Sequence, residues 1–169
     1  MGKRSNMPKV AKDFYPTPYE AVLPLLQHMD DGTLFVEPCG GDYALAGHLE
    51  RHGHKCHWAG DTAPQHHKVK YQDAMLIHST GASCFITNPP YTWAVLSPLI
   101  THLSDLAPTW LLLPADMMHN KRMAPHMYNC SIIQSVGRVK WFNNKAGMEN
   151  SAWYLFDSAT GGPATFYGR

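Results

Sequence analysis

The chain's 169 residues suffice for one core and one domain, and 14 basic against 13 acidic side chains leave a formal charge of +1, too even for composition alone to mark a nucleic-acid binder. Its four cysteines, at positions 39, 56, 84 and 130, lack paired spacing; this argues against a disulfide scaffold and fits a reducing compartment. With no apolar run long enough to span a bilayer and no secretory hydrophobic core at the N-terminus, the protein is expected to be cytoplasmic and without membrane contacts.

Residues 1–12 form a polar arm carrying Lys3, Arg4, Lys9 and Lys12, expected to stay flexible until a partner orders it. Residues 13–169 are expected to form a single domain. Thr17-Pro18-Tyr19-Glu20 has the pattern of a capping box with proline at the first helical position, leading into Val22, Leu25, Leu26 and Met29, with a kink at Pro24. A strand follows at 33–37, then the loop Pro38-Cys39-Gly40-Gly41, then Asp42 capping a helix over 42–52. Strand, tight loop and helix together make a cofactor-binding turn, since glycines let a ligand approach the backbone and the helix start offers free N–H donors. Glu37 closes the first strand.

The next strand, 55–60, runs into Asp61, 20 positions after Gly41, the spacing at which an acid after the second strand reaches ribose hydroxyls. A weak strand at 69–71 leads to Asp73, placed to meet the amino group of an adenine ring. Strand 83–87 carries Asn88-Pro89-Pro90-Tyr91 at its end. Beyond it the pattern predicts helix 92–106 with Pro98 inside, strand 109–113, a helical region 116–128, and strands at 132–142 and 151–156 joined by a loop at 143–150. Alternating strands and helices closed by a hairpin predict an α/β, Rossmann-like, doubly wound and mostly parallel sheet with one antiparallel edge formed by the C-terminal hairpin.

Asn88-Pro89-Pro90-Tyr91 solves a specific chemical problem. An exocyclic or amide nitrogen is a poor nucleophile while its lone pair is delocalised. The Asn88 side-chain oxygen and the Pro89 carbonyl, the latter stiffened by Pro90, can each accept one of its hydrogens, and Tyr91 offers a ring face on which a planar substrate stacks. This is catalysis by positioning and electrostatics, with no protein nucleophile. Cys39 is better suited to lining a cofactor than to attack. His52, His54 and Cys56 alternate so that a strand could turn them to one side, but they fall short of a compact ligand set, and no metal is expected.

These residues resemble the S-adenosylmethionine-dependent amino methyltransferases, most closely the small phage-type adenine-N6 DNA methyltransferases. Asp13-Phe14-Tyr15-Pro16-Thr17-Pro18 looks like the family's N-terminal cofactor segment, with Tyr15, Thr17 and Pro18 as contacts. Glu37-Pro38-Cys39-Gly40-Gly41-Asp42 looks like its glycine loop, and Asp61 and Asp73 fall where its ribose and adenine contacts lie. The resemblance makes Asn88, Pro89, Pro90 and Tyr91 the catalytic tetrapeptide. It also likens Arg138-Val139-Lys140-Trp141-Phe142 and the strand after it to the hairpin that helps hold a flipped base, with Trp141 or Phe142 packing on the base and Lys140 and Lys145 on phosphates. Tyr43 stands where relatives commonly have a second glycine.

The implied cofactor is S-adenosylmethionine and the implied partner DNA, in a restriction-modification or related setting. RNA, protein glutamine, or an inactive binding protein of the same fold remain as alternatives. Without a separate target-recognition domain, specificity would be short or relaxed, be supplied by the loops at 114–130 and 143–150, or come from a partner subunit, and a homodimer would double the contact surface on DNA. Lys121 and Arg122, and Arg138 with Lys140 and Lys145, are the basic groups nearest those loops.

Overall fold

The computed structural model describes residues 15–142, 145–146 and 149–169. The predicted arm at 1–12, Asp13 and Phe14 lie outside these residues, as do the side chains of Phe142 and Lys145. Strands β1 (Leu34–Glu37), β2 (Lys55–Asp61), β3 (Val69–Tyr71), β4 (Cys84–Thr87), β5 (Thr109–Pro114), β6 (Cys130–Gly137), β9 (Ser151–Phe156) and β10 (Thr165–Tyr167) form one sheet in the order β10-β6-β9-β5-β4-β1-β2-β3. The short β7 (Lys140–Phe142) and β8 (Lys145–Ala146) form a separate antiparallel ribbon. Strand β9 runs antiparallel to both of its neighbours, and every other pair in the large sheet is parallel.

The central strands β1, β4, β5 and β9 are buried almost without a break, and their side chains go alternately to the two faces of the sheet. Phe35, Ile86, Trp110, Leu112 and Trp153 meet Ala21 and Val22 of α1 (Tyr19–Val22) and Leu45, Ala46 and Leu49 of α2 (Ala44–Glu50) on one face. Val36, Phe85, Leu111, Leu113 and Tyr154 are buried on the other, where Leu96, Leu99, Ile100 and Leu103 of α3 (Trp93–Leu106) cover them. Trp153 is fully buried, and its indole N–H donates to the Ala21 carbonyl at 2.8 Å, which satisfies the one polar atom of that side chain. The short α4 (Ala124–Met127) follows two 3₁₀ turns, Ala115–His119 and Lys121–Met123.

Several expectations are corrected. The antiparallel strand is not at the edge: β9 inserts between β5 and β6, and an unpredicted β10 lies parallel to β6 outside them. The strand expected over 132–142 breaks at Gly137, where φ is +82°, so that β7 leaves the sheet to pair with β8. Pro18 sits at the N-cap of α1 rather than at its first position, and no side chain caps that end. Glu20 closes no capping box, because its carboxylate accepts the Lys140 backbone N–H at 2.8 Å, a partner 120 positions away. After Val22 the chain tightens into a 3₁₀ turn over Leu23–His28, in keeping with the missing N–H of Pro24.

Candidate active site

The carboxyl ends of β1, β2, β3 and β4 open on one cleft enclosing about 920 Å³, its open mouth included. It lies where the strand order reverses between β1 and β4, the usual ligand crevice of an open α/β sheet. Tyr15, Thr17, Glu37, Pro38, Cys39, Gly40, Gly41, Asp61, Asp73, Asn88 and Pro90 all line it. Pro18, Pro89 and Tyr91 do not.

The glycine loop is held against β2. Gly40 donates its N–H to the Gly60 carbonyl at 2.8 Å, and a Cβ at position 40 would come within 3.2 Å of the Ala59 Cβ. Gly41 has φ +44°, a conformation that costs a glycine little. The start of α2 is capped from outside the helix: Asp42 Oδ1 accepts from Ala44 N at 3.0 Å and Glu37 Oε2 from Ala46 N at 3.1 Å.

Tyr43, at φ +68°, is the one described non-glycine residue in the left-handed region, which costs about 1 kcal/mol or more. A glycine would adopt the same conformation at little cost. The Tyr43 side chain turns away from the cleft and fastens the segment after β2. Its hydroxyl donates to Glu50 Oε1 at 2.9 Å, its ring stacks on His66 at 5.3 Å, and Lys68 Nζ lies 4.9 Å from the ring centre.

Asp61 bridges the two loops that wall the cleft, accepting the Gly41 N–H on Oδ2 at 3.0 Å and the Ala63 N–H on Oδ1 at 2.7 Å. Each oxygen keeps a further lone pair for a ligand hydroxyl. Asp73 is exposed and caps the 3₁₀ turn Ala74–Leu76 by accepting from Met75 N at 2.9 Å through one oxygen. Burial pushes the Cys39 thiol up to about 12, helped by the Asp61 charge, so it stays a neutral lining group. Thr62, Ala63, Gln65, Gln72 and Met75 also line the cleft, and sequence reasoning missed them because they follow the strand ends without a motif of their own.

Glu37 is 2 % exposed, and burial holds its carboxyl well above the ordinary carboxylate range, with the Asp42 and Asp61 charges adding to the effect. An acid that keeps its proton better in the folded chain contributes stability that is full below the unfolded pKa and lost as pH rises through the folded one. Glu37→Gln keeps an acceptor for Ala46 and removes the buried charge. Its melting temperature should equal wild type near about pH 4 and exceed it near about pH 8, by roughly 2–4 °C for each kcal/mol relieved. Coincident melting temperatures at both pH values would show that the buried charge carries no cost.

The orientation of Asn88 follows from its partners. Its Nδ2 donates to the Tyr15 carbonyl at 3.2 Å, a group that can only accept, so Oδ1 must face the other way. There Oδ1 accepts the Tyr91 hydroxyl at 3.0 Å. Burial raises the Tyr91 phenol above its usual pKa, so it remains a donor. The Tyr91 ring packs on the cluster containing Leu96 and Met117. Two residues on, Trp93 carries the Arg122 guanidinium 4.6 Å above its ring, a pair that sequence reasoning did not single out. Trp141 is half-buried and meets Tyr15 edge-on with ring centres 6.3 Å apart, while Lys140 is exposed.

Among the described residues no three His, Cys, Asp or Glu side chains gather into a set that could hold a metal ion; His52 stacks on Tyr19, and His54 is buried. No helix among them is long and apolar enough to cross a membrane.

No family model matches the sequence, and no curated protein does. Solved structures match throughout. A protein of Pyrococcus horikoshii, provisionally described as an RNA methyltransferase, superposes with a TM-score of 0.67 over 90 % of this chain and 91 % of its own, at 14 % identity. The modification subunit of a provisionally assigned type I restriction enzyme from Vibrio vulnificus gives 0.60, covering 92 % of this chain and 47 % of its own, at 12 % identity. The M protein of the type I restriction enzyme EcoKI gives 0.57 over 92 % and 48 %, at 10 % identity. The chain has the Rossmann-like methyltransferase fold. It spans about half the length of the two restriction-enzyme subunits.

Proposed function

We propose that the protein transfers a methyl group from S-adenosylmethionine to the N6 amino group of adenine in DNA, acting on a base flipped out of the stack. The observation that carries this reading is the Asn88 amide, which lines the cleft while its oxygen turns toward the Tyr91 hydroxyl.

The cleft suits the cofactor. Asp61 retains lone pairs for ribose hydroxyls, Asp73 has an oxygen to spare for an adenine amino group, and the buried Glu37 carboxyl is a group that a cationic ligand would relieve. When bound, S-adenosylmethionine supplies an electrophilic methyl on its sulfonium. The chain's own residues do the positioning. Asn88 Oδ1 and the Pro89 carbonyl accept the amino hydrogens and localise the nitrogen lone pair, Tyr91 supports one face of the base, and Trp141 or Phe142 the other. No side chain is assigned as a dedicated base, since the proton can leave to solvent after transfer.

The restriction-enzyme neighbours support DNA as substrate and a partner subunit, or a second copy, as a source of sequence specificity. A second reading, the same transfer to RNA, is favoured by the Pyrococcus neighbour, whose length this chain matches almost fully. The test is incubation with labelled S-adenosylmethionine and separate DNA, RNA and protein acceptors, followed by mass spectrometry of the products. N6-methyladenine in DNA is expected. Label only in RNA or in glutamine would replace the reading, and cofactor binding with no product on any acceptor would favour an inactive protein of this fold.

A further inference from the structure

A second groove runs along the same carboxyl edge of the sheet, on the far side of β5 from the cofactor cleft. It is lined by residues that follow β5 and β6, precede β9 and lie in or after β10, among them Asp116, His119, Arg138, Phe166 and Arg169. The ends that build it all point the same way. β4, β5, β6 and β10 share one direction, and β9 begins where they finish.

Three features make this a built surface. Arg138 and Arg169 are exposed, and neither forms an ion pair with a carboxylate among the described residues. Phe166 leaves 59 % of its surface in solvent beside them, an uncommon state for a phenylalanine within a strand. The segment that carries Phe166 and Arg169 is also pinned. β10 pairs with β6, and the buried Gln134 donates to the Gly168 carbonyl at 3.0 Å. Gly137, at φ +82°, leaves room for the Arg169 side chain, whose Nη1 lies 3.1 Å from where a Cβ would stand. Asp116 is the one carboxylate side chain in the lining, against two guanidinium groups by count.

From this we infer that the groove holds the strand flanking the target base, with Arg138 and Arg169 on its phosphates and Phe166 stacked under an unpaired base. The inference rests on the proposed function and adds where the rest of the substrate goes. Phosphate contacts need exposed, uncommitted cations, and an exposed ring accepts any base that is not already stacked on a partner. Neighbouring strands are about 4.8 Å apart, which puts β6 and β10 roughly 14 and 19 Å from β4, a span from Asn88 of at most about four to six nucleotides at the stacked rise of about 3.4 Å and of fewer in a drawn-out single strand. A base that stacks on Phe166 has left the duplex, so single-stranded or locally opened substrate is the preferred form.

The test is fluorescence anisotropy with labelled adenine-containing single-stranded and duplex oligonucleotides across a salt series, on the full chain. Calorimetry with S-adenosylmethionine checks that each variant is folded. Joint replacement Arg138→Ala and Arg169→Ala should lower the slope of log affinity against log salt by about 1.4 for the single strand, two contacts' worth, with cofactor affinity unchanged. Phe166→Ala should weaken single-strand binding by about 5-fold to 150-fold, and Phe166→Trp should restore it. An unchanged salt slope, wild-type binding by Phe166→Ala, or tighter binding of duplex than of single strand would overturn the inference. If the wild type methylates DNA while these variants bind as it does, the groove inference fails alone. If the wild type binds the cofactor and no nucleic acid at low salt, the proposed function fails with it.

Discussion

In single-turnover methylation, Asn88→Ala is expected to slow transfer by about a hundredfold or more, the scale on which one transition-state hydrogen-bond partner counts, while cofactor affinity stays nearly unchanged. The side chain touches the cofactor cleft at its wall. In the proposed mechanism its oxygen, turned away from the Tyr15 carbonyl, accepts from the target nitrogen, and an acceptor matters most as that nitrogen becomes tetrahedral. The Tyr91 hydroxyl that occupies this oxygen at 3.0 Å must share it with, or yield it to, the incoming amino group. Tyr91→Phe keeps the ring and frees the acceptor, so it should retain substantial activity, whereas Tyr91→Ala removes the supporting face and should impair capture of the base. A wild-type rate in Asn88→Ala, or a product other than N6-methyladenine, would sink this mechanism.

The second large effect is expected at Asp61, on stability and binding together. Asp61→Ala strips the acceptors from the Gly41 and Ala63 N–H groups, both in half-buried loops. Leaving such donors unsatisfied costs about 1–3 kcal/mol each, and each kcal/mol lowers the melting temperature by about 2–4 °C in a chain of this size. The two loops that wall the cleft also lose the tie between them, so calorimetry should show cofactor affinity falling by at least about tenfold, or 1.4 kcal/mol. A residue that did no more than touch ribose would weaken binding and leave the melting curve in place. That outcome would overturn the bridging role.

Much of the candidate site was legible because each part lies at a strand end with a local signature. The glycine loop, the acid 20 positions later and the tetrapeptide all lie where an apolar run stops, and the parallel sheet brings those ends to one edge. What escaped depends on partners distant in sequence. Thr165-Phe166-Tyr167 is short, exposed and without alternation, and is a strand only because β6 offers it an edge. Glu20 looks like a capping residue until Lys140 takes its carboxylate. Asp61 reads as a ligand contact, and nothing local shows that it also ties two loops together. Tyr43 was visible as a departure from glycine. Its left-handed backbone and its contacts with His66, Lys68 and Glu50 were not, since they need the loop after β2 to return alongside α2.

The insertion of β9 also sets the order in which the molecule can assemble. Strands β5 and β6 are synthesised first and pair with each other only through β9, which bonds to β5 over Thr109–Pro114 and to β6 over Cys130–Gly137. Until β9 emerges, a nascent chain carries two open strand edges and lacks Trp153 and Tyr154, two of the largest fully buried side chains. Contacts of such wide separation place folding among the slower topologies, and an unfilled slot between two apolar strands is a point where another chain could pair instead. Production of this protein should therefore be most prone to aggregation among chains in which β9 has not yet paired, and a lower expression level or lower temperature should raise the soluble yield.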